Sequence, residues 1–272
     1  MTRELVYGRR PVREAIRGPR EVLEVWATER ALNSEPWLRD VPRVHAKPDR
    51  EIGEAAETRD HQGVIAWCEP YRYADAHELA AVERPLLACL DQVTDPRNLG
   101  AVIRSAEGAG AAGVVVPAHG SARVTAAVCR ASAGAVEHLP VAVVPNLARY
   151  LNEIKRADLW IYAASAEASQ DMWSADLTGG LALVFGAEGK GVRPLVRRAC
   201  DAAVSIPLAG KVESLNVSVA AALLLYEARR TTRVCSPAPS PTATPTPTSS
   251  QRSSGRCSPA SIRSLIPATW AP

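Results

Sequence analysis

Five polar residues stand beside apolar runs in this chain, in three short segments. Asn98 and Arg104 lie six residues apart in DPRNLGAVIRSA, at the start of a helical pattern that directly follows the strand-like run LLACLDQV. Glu188 sits in the glycine-rich turn of VFGAEGKGV (184–192), after a second strand-like run. Ser214 and Asn216 fall in SIPLAGKVESLNVSVAAALLLYEA (205–228), where they open the last helical pattern. Polar groups and small turns at strand ends are where open α/β sheets bind ligands. Asn98, Ser214 and Asn216 each stand where a side chain can also cap a helix, and Glu188 could be a plain solvated turn carboxylate.

Other chemistries are poorly supported. Gly108, Gly110 and Gly113 fit G-x-G-x-x-G, but a dinucleotide loop needs a strand before it and a helix after it. Here the helix AVIRSAE precedes and the strand VVVP follows, so these glycines read as a helix C-cap and a tight entry into a strand. VFGAEGKGV lacks the Gly-Lys-Ser/Thr ending of a phosphate loop. The six cysteines form no Cys-x-x-Cys pair and no His stands at zinc spacing, so no metal site is expected. Buried free thiols at Cys89, Cys129 and Cys200 fit a reducing, cytoplasmic setting. MTRELVYGRRP has no apolar core for a signal peptide, so none is expected, and no apolar run reaches membrane-span length.

The elements that must position these residues follow from apolar patterning. Hydrophobic residues make up 47% of the 272 and aromatics 5%, so the core must be aliphatic, as suits a mostly parallel sheet under helices. The formal charge of +3 is misleading, because Arg252, Arg256 and Arg263 in the acid-free stretch from Val234 onward account for it; 29 basic and 29 acidic residues remain elsewhere. Residues 1–70 read as a small α/β unit, with strands at EVLEVWAT and GVIAWCEP and helices at VREAIRG and EIGEAAETR. Residues 71–84 read as a polar connector. From 85 to 233, strands at LLACLDQV, GVVVP, LWIYAAS, LALVFG and AAVSIP alternate with helices, which implies a parallel sheet covered on both faces. Residues 234–272, rich in Pro, Ser and Thr, are expected to form a disordered tail.

In order and spacing the three segments closely resemble the motifs of the SpoU/TrmH family of SPOUT-class RNA ribose 2′-O-methyltransferases, over residues 85–230. YGRRPVREAI and HQGVIAW resemble the substrate-binding domain of its RlmB-like branch. The resemblance implies a deep trefoil knot in the methyltransferase domain, a ribosomal-protein-like RNA-binding domain before it, S-adenosylmethionine as cofactor, and a homodimer. It implies methylation of a guanosine ribose in 23S rRNA, with tRNA, or RNA binding without catalysis, as alternatives; neither DNA nor a membrane is an expected partner. By the same resemblance Arg104 helps activate the 2′-hydroxyl, and because an Arg is almost always protonated, a bidentate hold on a phosphate is its more natural task. Asn98 would orient Arg104 or the nucleotide, and Glu188 would hold an arginine in place. Ser214 and Asn216 would contact the reacting nucleotide. Gly186, Ile206 and Leu215 would line the cofactor pocket, with Leu208 and Gly210 beside them. The last helix, apolar on more than one face, would give one face to the sheet and another to a second subunit.

Overall fold

The computed structural model describes residues 3–234. The stretch expected to form a disordered tail, with Cys235 and Cys257, lies outside the described residues apart from Val234.

The chain builds two sheets in succession. The first holds β1 (Glu4–Tyr7), β2 (Val22–Ala27), β3 (Val44–Ala46) and β4 (Val64–Cys68) in the order β1-β4-β2-β3. β4 runs antiparallel to both neighbours, while β2 and β3 are parallel. Its helices are α1 (Arg9–Arg17), α2 (Glu29–Ser34) and α3 (Asp49–Ala56). Thr28 caps α2 by accepting the Ala31 N–H at 3.2 Å. The segment expected to be a plain connector carries α4 (Ala76–Ala81), which Asp75 caps by accepting the N–H groups of His77 and Glu78.

The second sheet is parallel throughout. It contains β5 (Leu86–Asp91), β6 (Gly113–Pro117), β7 (Val141–Val144), β8 (Leu159–Ala164), β9 (Gly180–Gly186) and β10 (Ala202–Val204), in the order β10-β8-β9-β5-β6-β7. The helices between and after them are α5 (Pro96–Gly108), α6 (Ala126–Ala131), α7 (Leu147–Ile154), α8 (Pro194–Ala199) and α9 (Val217–Val234). Side chains on a strand point alternately to opposite faces, and both faces here are covered. On β5, Ala88 and Leu90 join the core beneath α5 and α9, whereas Leu87 and Cys89 join the core beneath α7 and α8. β9 divides likewise, with Leu183 and Phe185 on the first side and Ala182 and Val184 on the second. Each buried Leu, Val or Phe among these contributes about 1.5–3 kcal/mol, so the doubly covered sheet is the stable platform.

The glycines at the end of α5 take the capping role expected of them. Gly110 adopts φ +69°, and the Ala111 N–H reaches back to the Ala106 carbonyl at 2.9 Å, the bonding of a helix terminus closed by a left-handed residue.

The two sheets meet where α1 and β1 approach α6 and the turn that follows it. A Cβ on Gly18 would stand 2.9 Å from the Glu137 Cβ, and one on Gly134 would stand 2.6 Å from the Glu14 Cβ. Into this close approach Arg20 brings its guanidinium, which donates to both carboxylate oxygens of Glu137 and to Glu4. The side chains of Arg20 and Glu137 are 6% and 2% exposed. Burial is the largest influence and works against the charge on Arg20, but the Glu137 carboxylate and the neighbouring thiols together raise the guanidinium pKa. Burial also pushes the Cys129 thiol beside this pair up to about 12 and that of Cys68 to about 11.

Candidate active site

The carboxyl ends of β5 and β9 lie side by side, with Asp91 in register with Gly186. The polypeptide leaves β9 through a turn so tight that Ala187 bridges to Gly191. A Cβ on Gly186 would lie 2.0 Å from the Gly191 carbonyl carbon, so no larger residue fits without moving backbone. Asp91, fully buried, ties this turn down. It accepts the Arg193 backbone N–H at 2.9 Å and Nε at 2.9 Å, and pairs with Nη2 at 2.7 Å. A buried carboxylate needs such a partner, since removing one member of a buried pair costs about 3–5 kcal/mol.

Three of the five polar residues converge above this foundation. Glu188 Oε1 accepts from Asn98 Nδ2 at 3.0 Å and from Asn216 Nδ2 at 2.5 Å, and Asn216 Nδ2 also lies 3.1 Å from Asn98 Oδ1. Asn216 caps α9 as well, its Oδ1 accepting the Ser218 N–H at 2.8 Å. Asn98 does not cap the helix, a role the sequence left open beside that of orienting Arg104 or the nucleotide. Asp95 caps α5 by accepting the Arg97 N–H at 2.8 Å, and Pro96 opens the helix, which leaves the Asn98 amide free to reach across to Glu188. The network ties the first turn of α5, the turn after β9 and the start of α9 into one unit.

The remaining residues are placed differently. Arg104 lies about 9 Å further along α5, exposed and without hydrogen bond or ion pair among the described residues. Ser214 is exposed on the segment between β10 and α9 and makes no hydrogen bond to the network. Ile206 is half-buried on that segment, Leu208 and Leu215 are 39% and 36% exposed, and Gly210 faces open space.

A cleft of about 390 Å³ opens beside the network, lined by Gln92, Thr94, Asp95, Asn98, Gly120 and Glu188 among others. That volume suits a small-molecule or nucleotide-sized group. Ile206, Leu208, Gly210 and Leu215 are not among its lining residues. Gln92, which sequence reasoning missed, holds φ +60° at the mouth of the cleft, a conformation non-glycine residues adopt at a cost and one that gathers at functional sites. Asp91 and Arg193 were missed too, although a lone carboxylate ending the apolar run LLACLD was a usable signal. Among the described residues no group of three His, Cys, Asp or Glu could hold a metal ion, and no helix is long and apolar enough to cross a membrane.

Comparison with known proteins identifies the family. Residues 85–226 match the SpoU rRNA Methylase family, and residues 5–74 match the RNA 2′-O ribose methyltransferase substrate-binding domain. The 23S rRNA (guanosine-2′-O-)-methyltransferase RlmB of Vibrio cholerae is 39% identical over 241 residues, which cover 85% of this chain and 98% of that protein. Its Escherichia coli counterpart is 38% identical over 242 residues, covering 84% and 98%. The crystal structure of the SpoU methyltransferase AviRb from Streptomyces viridochromogenes in complex with AdoMet superposes with a TM-score of 0.71 at 30% identity, covering 85% of this chain and 90% of that one. On the matched segments and on the parallel sheet that carries their convergent polar residues, this chain belongs to the SpoU rRNA methylase family.

Proposed function

We propose that this protein transfers a methyl group from S-adenosylmethionine to the ribose 2′-hydroxyl of a guanosine in 23S rRNA. The observation that carries this reading is the hydrogen-bonded network of Asn98, Glu188 and Asn216, which draws all three motif segments to the carboxyl ends of β5 and β9. In this reading residues 1–70 form the RNA-binding domain, 71–84 the linker and 85–233 the knotted methyltransferase domain.

The residues present fit the cofactor. The sharp turn that only glycine permits at 186 leaves backbone groups without side-chain cover, and Ile206, Leu208 and Leu215 supply aliphatic surface nearby in sequence to Gly210. Backbone hydrogen bonds and an apolar wall are what an adenosine moiety needs. When bound, the cofactor supplies an electrophilic methyl group on a sulfonium with a good leaving group already in place. The task left to the protein is then positioning and loss of the hydroxyl proton.

Arg104, a permanent cation with no partner among the described residues, holds the phosphate next to the target ribose and so fixes the 2′-oxygen. Glu188 and Asn216 keep the Asn98 amide in place at the helix start, and Ser214 contacts the nucleotide from the segment before α9. Homodimerisation belongs to the same reading. Val219, Leu223 and Tyr226, spaced i, i+4, i+7 on α9, are 47%, 42% and 53% exposed, an apolar stripe that a second copy would cover. The protein works in the cytoplasm, where its substrate is.

Transfer of tritiated methyl groups to 23S rRNA, followed by mapping of 2′-O-methyl sites in cells lacking the protein, tests the proposal. A single guanosine losing its methyl group is the expected result. Absence of transfer to any rRNA rejects it.

A further inference from the structure

Of the Arg side chains on and beside α1, Arg9, Arg17 and Arg20 are matched with carboxylates, while Arg10 and Arg13 are exposed and without ion pairs among the described residues. Arg9 pairs with Glu35 at 2.9 Å, Arg17 with Glu14 at 3.4 Å, and Arg20 with Glu137. Arg130, the last cation of α6, differs from both groups. It is half-buried, and no hydrogen bond or ion pair satisfies its guanidinium among the described residues. Its stem lies over the loop between β1 and α1. A Cβ on Gly8 would come within 3.1 Å of Arg130 Cδ, so the absence of a side chain there gives the arginine room. A half-buried charge without a counterion is costly unless an anion arrives from outside.

Two further unpaired cations extend the same surface. Arg97, Ala101 and Arg104 follow i, i+4, i+7 spacing on α5 and therefore share one face. Arg97 and Arg104 are exposed and, like Arg130, lack partners among the described residues. The neighbouring face of α5 packs on α6 at Gly100, whose Cβ would lie 2.5 Å from that of Ala131. The outer face of α5 and the end of α6 are thus contiguous. Consistent with this, the guanidiniums of Arg97 and Arg130 both act on the Tyr7 hydroxyl, whose pKa is raised chiefly by burial and then by Asp60.

Resting on the activity proposed above, we infer that Arg130 is an RNA-backbone contact, and that with Arg97 it carries the substrate strand from the cleft at Asn98 across the junction to the Gly8 loop of the first sheet. Three cations without counterions among the described residues, on one surface that begins at the cleft and ends at the other sheet, match a run of phosphates. They carry no base-reading geometry, so the contact fixes register rather than sequence.

The test uses the full chain and an unmodified 23S rRNA transcript. Arg130→Gln is expected to raise KM for the transcript about 5- to 20-fold with kcat at saturating RNA unchanged. Removing one cation from the phosphate backbone lowers the slope of log affinity against log salt by about 0.7–0.9, and that decrement is expected here. Arg130→Lys is expected to restore the slope. Arg97→Gln, at an exposed site where folding is not at stake, is expected to lower the slope in the same way. Arg149→Gln, on the far core's α7 and paired there with Glu153, is the control expected to match wild type. Wild-type KM and salt slope in both Arg130→Gln and Arg97→Gln overturn the inference alone, as does a loss of kcat at unchanged KM. Wild-type protein that neither binds nor methylates the transcript overturns the proposed function with it.

Discussion

The junction between the two sheets and the cleft at the end of β5 both depend on charged and amide side chains from distant parts of the chain, yet they are built in opposite ways. At the junction the charges are sealed in. Arg20 and Glu137 are almost wholly out of water, and glycines at 18 and 134 let the backbones close over them. At the cleft the acidic and amide groups are exposed or half-buried, and further along α5 Arg104 has no counterion among the described residues. A sealed pair is expensive to break and so holds two bodies in one arrangement. An open network contributes little to stability but leaves its donors and its cation available to an incoming ligand. The contrast separates the parts that hold from the parts that exchange partners.

Substitutions can break or sharpen this contrast. The largest effect is expected at the cleft and in activity alone. Arg104→Ala should reduce methyl transfer by about two orders of magnitude or more, since misplacing a reacting oxygen by an ångström costs that much. Calorimetry with S-adenosylmethionine should find cofactor binding nearly intact, and wild-type turnover would remove Arg104 from the mechanism. The largest effect on stability is expected at the junction. Glu137→Ala leaves Arg20 buried without its main partner and should cost about 3–5 kcal/mol in urea unfolding; a loss under about 1 kcal/mol would mean that water enters there freely.

Glu188→Gln is the matching change at the cleft. It should alter unfolding stability by no more than about 1 kcal/mol while activity falls, and a stability loss as large as that of Glu137→Ala would erase the distinction. The smallest effect concerns pH. Burial raises the Cys68 thiol to about 11 and Cys129 to about 12, above the ordinary value of 9.0. Folding therefore favours the neutral thiols, and their contribution is complete below pH 9 and lost as pH rises toward 12. Thermal melts should decline over that alkaline window, and Cys129→Ala should flatten the decline.

Much of the architecture was legible because apolar runs separated by glycine and polar turns leave few alternatives to a parallel α/β sheet. Five strands of the larger sheet were read correctly. β7 was not, because VAVV is a four-residue edge strand set between Pro140 and Pro145. β1 (ELVY) and α4 (AHELAA) are also short, four and six residues, and neither outweighs its polar surroundings. At the site, Asn98, Glu188 and Asn216 were legible through motif order and spacing. The pairing of Asp91 with Arg193 spans 102 residues, and the left-handed backbone of Gln92 leaves no trace in composition. Asp95-Pro96, the stronger helix-start signal, stands three residues before Asn98 and takes the capping role that the sequence had left open to it.

The bridge between Asn98 and Asn216 spans 118 positions of the chain. During synthesis the first turn of α5 and the turn bearing Glu188 are both made before Asn216 exists. Whatever the ribosome has released by then, the three-way knot of amides and carboxylate stays unfinished until the final helix emerges. A fragment truncated ahead of α9 therefore lacks one of the three partners of this network.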